Sequence, residues 1–107
     1  HLDPVNIICS PRAYADNGAV IKELFAKLGP YIKSCHAKDI RLDSRLTTHL
    51  DECRPGLGAL DYTVYLRELD KLPIPAALMM EHMSQPEEVA AAAGFIRQQA
   101  LSLGIRI

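Results

Sequence analysis

Three segments with helical periodicity alternate with short apolar segments, and this alternation limits the folds open to the chain. In each helical segment, apolar residues recur at a spacing of three and four positions. Each segment also has a start signal and a stop signal. The starts are at Asp16, Asp61 and Pro86, and the stops are at Gly29, Pro73 and Gly104. The sequence therefore predicts three helices separated by shorter elements.

The segments between the helices have the character of β-strands. Residues 31–39 are partly alternating, which is typical of a strand. Residues 74–80 run without polar interruption up to Glu81, as expected of a strand buried on both faces. This run is far shorter than the roughly 20 residues that cross a membrane. A further strand is expected to end just before Asp3, and residues 41–58 are expected to form a polar loop region.

Strands that alternate with helices predict parallel βα units joined by right-handed crossovers. A repeat of about 40 residues fits the (β/α)8 or TIM barrel, in which ~250 residues form eight units. We therefore predict an α/β fold for residues 1–107: a partial (β/α)8 TIM barrel of three βα units. A doubly wound open sheet is the competing architecture, although no GxGxxG motif or P-loop follows a strand.

Composition narrows the classes of function. The chain has 107 residues and a net charge of -1, which is too balanced for a nucleic-acid-binding surface. Its three cysteines, Cys9, Cys35 and Cys53, are widely spaced and odd in number, so we expect reduced thiols. No signal peptide is visible. We expect a cytoplasmic protein with no nucleic-acid or membrane partner.

Polar side chains stand where the predicted strands end. Asp3 follows the first strand, His36 and Asp39 close the second, and Glu81 and His82 follow the third. The carboxyl ends of parallel barrel strands share one mouth, where the chemistry lies. A carboxylate directly after an apolar strand is costly to bury without a cation. Aspartate, histidine and glutamate form a mixed oxygen and nitrogen ligand set, so we predict a divalent metal (Mn²⁺, Mg²⁺, Co²⁺ or Zn²⁺).

The loop before the second helix is rich in glycine. Gly56 and Gly58 give its backbone the freedom for a tight approach, and Asp61 is expected to cap the helix that follows. The same helix N-terminus is an alternative site for a phosphate group.

Three motifs in this order resemble the sugar phosphate isomerase/epimerase family. They are His36-Ala37-Lys38-Asp39, the RPGLGALDY sequence of residues 54–62, and Met80-Glu81-His82. The opening Leu2-Asp3-Pro4-Val5-Asn6 is similar to the end of a strand in the same family. That family has a xylose isomerase-like TIM barrel. The resemblance implies that residues 1–107 are the C-terminal segment of such a domain, its last three βα units.

The resemblance also implies a site and a reaction in carbohydrate metabolism. Asp3, His36 and Glu81 would be three of four metal ligands, the fourth being a glutamate upstream. Glu81 would also be catalytic, as acid or base in proton abstraction next to a carbonyl through an enediolate. Without the upstream glutamate, the isolated chain is expected to be inactive.

The substrate implied by the resemblance is a small sugar or sugar phosphate. Asn6 stands where several members have a histidine that contacts substrate. Arg54, Glu52 and Lys38 lie in or near the loops around the mouth, where they could bind substrate hydroxyls or a phosphate. The alternative for each of these three is an ordinary surface charge.

Other functions stay open. A keto-sugar lyase or dehydratase, or a metal-dependent hydrolase, could use the same site on the same barrel. The balanced charge argues against DNA as the substrate of such a hydrolase. A non-catalytic half-barrel that self-associates is a further alternative, because exposed strand edges favour association, and a homo-oligomer fits the enzyme as well.

Overall fold

Four α-helices and two small sheets make up the chain, which the computed structural model describes from His1 to Ile107. The helices are α1 (Pro11–Ala15), α2 (Asn17–Leu28), α3 (Tyr62–Asp70) and α4 (Pro86–Ser102). The strands are β1 (Ser34–Ala37), β2 (Asp39–Leu42), β3 (Leu50–Cys53) and β4 (Ala77–Met80). Short 3-10 helices cover Val5–Ile7 and Gly29–Tyr31. None of the helices is both long and apolar enough to span a membrane.

The three helices predicted from periodicity are confirmed as α2, α3 and α4. Their ends follow the local signals, since Asp61 Oδ1 accepts a hydrogen bond from the Val64 N–H at 2.9 Å and caps α3. Pro86 stands in the first turn of α4, and Gly104 adopts a positive φ of 72° just after its end. Helix α1 was not predicted; Ser10 caps it through a hydrogen bond to the Ala13 N–H.

The first sheet is a parallel pair of β1 and β4. Cys35 is in register with Leu78 and His36 with Met79. On the other side of β1, Leu2 forms an isolated parallel bridge to Cys35, in which the Leu2 N–H donates to the Ser34 carbonyl at 2.9 Å. This pairing places residues 2–3, the end of β1 and the end of β4 side by side.

The second sheet is an antiparallel pair of β2 and β3, with Ile40 opposite Glu52. The sequence predicts a polar loop here, and that prediction is wrong. The hairpin has its backbone ladder, and it is tied to the loop that follows by the carboxylate of Asp39. Its oxygens accept four backbone hydrogen bonds of 2.8 to 3.1 Å. The donors are the N–H groups of Ile40, Gly56, Gly58 and Leu60.

The fold-class prediction of a partial TIM barrel, with three βα units of parallel strands alternating with helices, is wrong. The structure has one parallel pair and one antiparallel pair, and no pattern of three βα units is present. The physical reason lies in backbone pairing. The first expected strand contributes only the single bridge at Leu2, and the segment between β1 and α3 pairs with itself as a hairpin.

The expectation that the apolar run ending at Met80 is buried on both faces is also wrong. β4 pairs only with β1, and Met79 and Met80 are 44% and 37% exposed. The core lies instead between β1 and the helices, where α2 packs on α3 and α3 on α4. Ile21, Cys35 and Tyr65 at its centre are fully buried.

Candidate metal centre

Asp3, His36 and Glu81 converge at the ends of the parallel backbone segments. One donor atom from each lies within 4.8 Å of the others. His36 Nδ1 is 3.2 Å from Asp3 Oδ2 and 3.0 Å from Glu81 Oε2. We call these three residues the triad. The sequence predicted all three as metal ligands, and the fold brings them together.

The triad has the dimensions of part of a coordination shell. Donor atoms bound to one ion at about 2.1 Å lie roughly 3.0 Å apart in an octahedron and roughly 3.4 Å apart in a tetrahedron. The two distances from His36 Nδ1 fall in that interval. Two carboxylates and one imidazole form a donor set that suits Mn²⁺, Co²⁺, Zn²⁺ or Mg²⁺. The triad therefore offers three donor groups of the kinds that bind such an ion, at separations that also suit hydrogen bonds from the His36 imidazole.

Backbone groups fix the orientation of Asp3. Its Oδ1 accepts hydrogen bonds from the Val5 N–H at 3.1 Å and the Asn6 N–H at 3.4 Å, at the start of the first 3-10 helix. Its Oδ2 is left facing His36. Asn6, a predicted substrate contact, acts here through its backbone, and its side chain is exposed.

Two tyrosines of α3 hold the strand that carries His36. The Tyr65 hydroxyl donates to the His36 carbonyl at 2.8 Å, and the Tyr62 hydroxyl donates to the Lys38 carbonyl at 2.7 Å. Burial raises the pKa of both phenols, so they remain donors. The His1 ring packs edge-on against the His36 ring, with centroids 3.9 Å apart. The His36 imidazole is therefore restrained by the tyrosines, which hold its strand, and by contact with the His1 ring.

Replacing Tyr65 with phenylalanine removes one of these restraints. We expect the free energy of unfolding to fall by about 1 to 2 kcal/mol, because the His36 carbonyl loses its partner within a buried site. Urea denaturation of Tyr65→Phe beside Tyr31→Phe, an exposed control, measures the difference. Equal stability of the two variants would contradict this role for the hydroxyl.

Lys38 occupies the centre of the carboxylates around the triad. Its side chain is only 5% exposed, and Nζ lies 3.1 Å from Asp3 Oδ2, 2.8 Å from Glu81 Oε2 and 3.1 Å from Glu52 Oε2. Burial alone would lower the pKa of Lys38, but hydrogen bonds to Glu81, Asp3 and Glu52 together raise it above its ordinary value. Lys38 is therefore an ammonium ion and not an amine nucleophile.

The same lysine determines how the neighbouring glutamates ionise. The hydrogen bond from Lys38 lowers the pKa of Glu81 below its ordinary value. Burial raises the pKa of Glu52, but hydrogen bonds with Lys38 and His82 outweigh it and lower that pKa overall. Both carboxylates are thus ionised at neutral pH. His82, whose Nδ1 is 2.5 Å from Glu52 Oε1, has a positive φ of 57°, which is uncommon for a residue other than glycine.

A pocket of about 200 Å³ opens beside the triad. Lys38, Glu52, Arg54 and Glu81 line it, together with residues 82–84 and Glu88. Three of the predicted substrate contacts (Lys38, Glu52 and Arg54) therefore share one cavity with a triad residue. Cys53 also lines this cavity, but burial raises the pKa of its thiol to about 11, so it is not a thiolate.

Arg54 is held by α4. Its Nε lies 2.7 Å from Glu88 Oε2, an ion-pair distance, although the N–H itself makes no hydrogen bond. The sequence did not predict Glu88 as part of this region. Its position in the first turn of α4 is the usual place for a helix-stabilising acid, which gives no signal of a second role.

Asp39 and the glycine loop bind each other. Asp39 points away from the triad into the loop, and its carboxylate uses the N–H groups of Gly56 and Gly58. The Val64 N–H at the start of α3 is bonded to Asp61. An anion at this helix N-terminus would find those donors taken, so the alternative phosphate site is not supported.

Comparisons with known proteins add no assignment. No protein-family model, curated protein or solved structure matches the chain.

Proposed function

We propose that this chain supplies a divalent-metal centre to an isomerase or epimerase that acts on a sugar or sugar phosphate. The observation that carries the proposal is the convergence of Asp3, His36 and Glu81, whose donor atoms lie within 4.8 Å of one another. The open pocket beside them, lined by charged hydrogen-bonding groups, suits a small polyhydroxylated substrate. The motif resemblance supports the choice of a sugar.

A bound divalent ion would act as a Lewis acid on the carbonyl and hydroxyl oxygens of such a substrate. Glu81 is placed to hold the ion and to accept a proton. Its Oε2 contacts His36 and Lys38, whereas its Oε1 is 3.8 Å from His82 Nε2, and the residue lines the pocket. Because Glu81 is ionised, it can remove a proton from the carbon next to the carbonyl.

Lys38 would stabilise the negative charge that develops on the substrate oxygen. An ammonium group that lines the pocket would attract an oxyanion formed there. Inversion at the carbon requires an acid on the opposite face of the sugar, and the triad does not supply one. The chain's own residues therefore account for proton removal on one face.

Deuterium exchange tests proton removal separately from inversion. We expect the isolated chain not to epimerise a sugar, because the triad supplies a base on one face only. Loaded with Mn²⁺ and incubated with a ketohexose in D₂O, it should still introduce deuterium next to the carbonyl about 100-fold faster than Mn²⁺ alone. Mass spectrometry of the recovered sugar measures the exchange. Glu81→Gln should reduce the rate to that of free Mn²⁺, because the amide is not a base.

Glu87→Gln is the matched control, since Glu87 is an exposed carboxylate outside the pocket. It should exchange at the rate of the unmodified chain. Exchange that is equally fast in Glu81→Gln would contradict the proposed base. A product lighter by one water molecule would reassign the reaction to a dehydratase.

A further inference from the structure

We propose that Lys38 is an internal competitor for the divalent ion: it sets the metal affinity of the triad and shifts to Glu52 when an ion binds. This inference rests on the metal centre of the proposed function and adds a residue that controls its occupancy.

The competition follows from shared oxygens. Lys38 Nζ contacts Asp3 Oδ2 and Glu81 Oε2, which are the two carboxylate oxygens nearest to His36 Nδ1. An ion bound to the triad would take the same oxygens. Two cations at such short range repel, and the repulsion is least screened beside Asp3, where both side chains are buried. The ammonium therefore has to leave those oxygens or weaken the binding of the ion.

Charge balance allows Asp3, Glu52 and Glu81 to hold both Lys38 and a divalent ion. Asp3, Glu52 and Glu81 carry three negative charges, and Lys38 neutralises one of them. The remaining two match a divalent ion. The ion would take Asp3 and Glu81 with His36, and Lys38 would keep Glu52.

The structure provides a fixed acceptor and space for this shift. Glu52 already contacts Lys38 through Oε2, while its Oε1 is held by His82 Nδ1. The pocket of about 200 Å³ borders both Lys38 and Glu52. The Lys38 carbonyl is bonded to the Tyr62 hydroxyl, so the backbone is held and the movement is confined to the side chain.

Mn²⁺ titration of the full chain, followed by the EPR signal of the free ion, tests the proposal. Lys38→Met removes the charge and keeps the length of the side chain, and we expect it to bind Mn²⁺ roughly tenfold more tightly. Lys38→Gln should also bind more tightly, and Lys38→Arg, which keeps the charge, should not. Lys71→Met is the matched control because Lys71 is an exposed lysine paired with Glu68.

A second measurement compares the melting temperatures of the variants without a metal ion. In EDTA, Lys38→Met should melt at a lower temperature than the unmodified chain, because three carboxylates lose their counterion. Mn²⁺ should then raise its melting temperature by more than it raises that of the unmodified chain. If Lys38→Met does not fold, Lys38→Gln takes its place in both measurements.

Failure of the competition and failure of the metal centre would give different results. Mn²⁺ binding that is equal in the unmodified chain, Lys38→Met and Lys38→Gln would overturn the competition and leave the metal centre in place. Absence of Mn²⁺ binding in all of them would overturn the metal centre, and the competition with it.

Discussion

Replacing Asp39 with alanine is expected to lower the free energy of unfolding by about 3 kcal/mol. The carboxylate is 1% exposed and accepts hydrogen bonds from four backbone N–H groups. The donors at Ile40 and Leu60 are buried, so water cannot fully replace the lost acceptor. Those at Gly56 and Gly58 are less buried, which limits the total.

Urea denaturation measures this effect, with Asp70→Ala as the control because Asp70 is exposed at the end of α3. The control should stay within about 0.5 kcal/mol of the unmodified chain. Gly58→Ala tests the same loop from the other side, since an added Cβ would collide with Asp39 Oδ1 and the Ile40 carbonyl. It should also destabilise. Unchanged stability in Asp39→Ala would show that the carboxylate does not hold the hairpin to the loop.

Removing a triad ligand is expected to have the largest effect on metal binding. Loss of a hydrogen-bond partner outside the ligand shell commonly weakens a metal site by 10- to 100-fold, so loss of a ligand should cost at least about 100-fold. We expect this loss in His36→Ala and in Glu81→Gln. The imidazole is the only nitrogen donor of the triad. Glu81→Gln keeps the shape of the side chain and removes its charge.

His49→Ala is the matched control for the imidazole, because His49 belongs to the turn region of the β2–β3 hairpin and lies outside the triad. Equilibrium dialysis of Mn²⁺ against each variant measures the affinity. Circular dichroism on the same samples separates a lost ligand from a lost fold. Equal affinity in His36→Ala and His49→Ala would show that the triad does not bind the ion.

The sequence predictions that the structure confirms depend on local signals near the ends of the helices. Helices α3 and α4 could be placed because Asp61 caps the first, Pro86 begins the second and Gly104 follows it. Helix α2 begins just after Asp16, although that side chain makes no capping hydrogen bond. The proximity of Asp3, His36 and Glu81 follows from the parallel segments, whose carboxyl ends lie together; their role as metal ligands stays a prediction. Asp3 and His36 are 33 positions apart in the chain and meet for that reason.

The features that the sequence did not predict depend on contacts between residues far apart in the chain. The β2–β3 hairpin is polar, and its strands carry no clear alternation; it depends on Asp39 reaching the loop around Gly58, 19 positions later. Asp39 lies only three positions after His36 in the chain, yet the Asp39 carboxylate accepts hydrogen bonds from backbone N–H groups of the glycine loop. The apolar run before Glu81 predicts burial, but burial needs a covering layer, and β4 has only β1 beside it.

Pulsed EPR of the Mn²⁺-loaded chain tests the central claim most directly, because it detects nitrogen nuclei bound to the ion. We expect coupling to one imidazole nitrogen, which is lost in His36→Ala and retained in His49→Ala. Mn²⁺ that binds without nitrogen coupling, or with a coupling that survives His36→Ala, would contradict a metal centre formed by Asp3, His36 and Glu81.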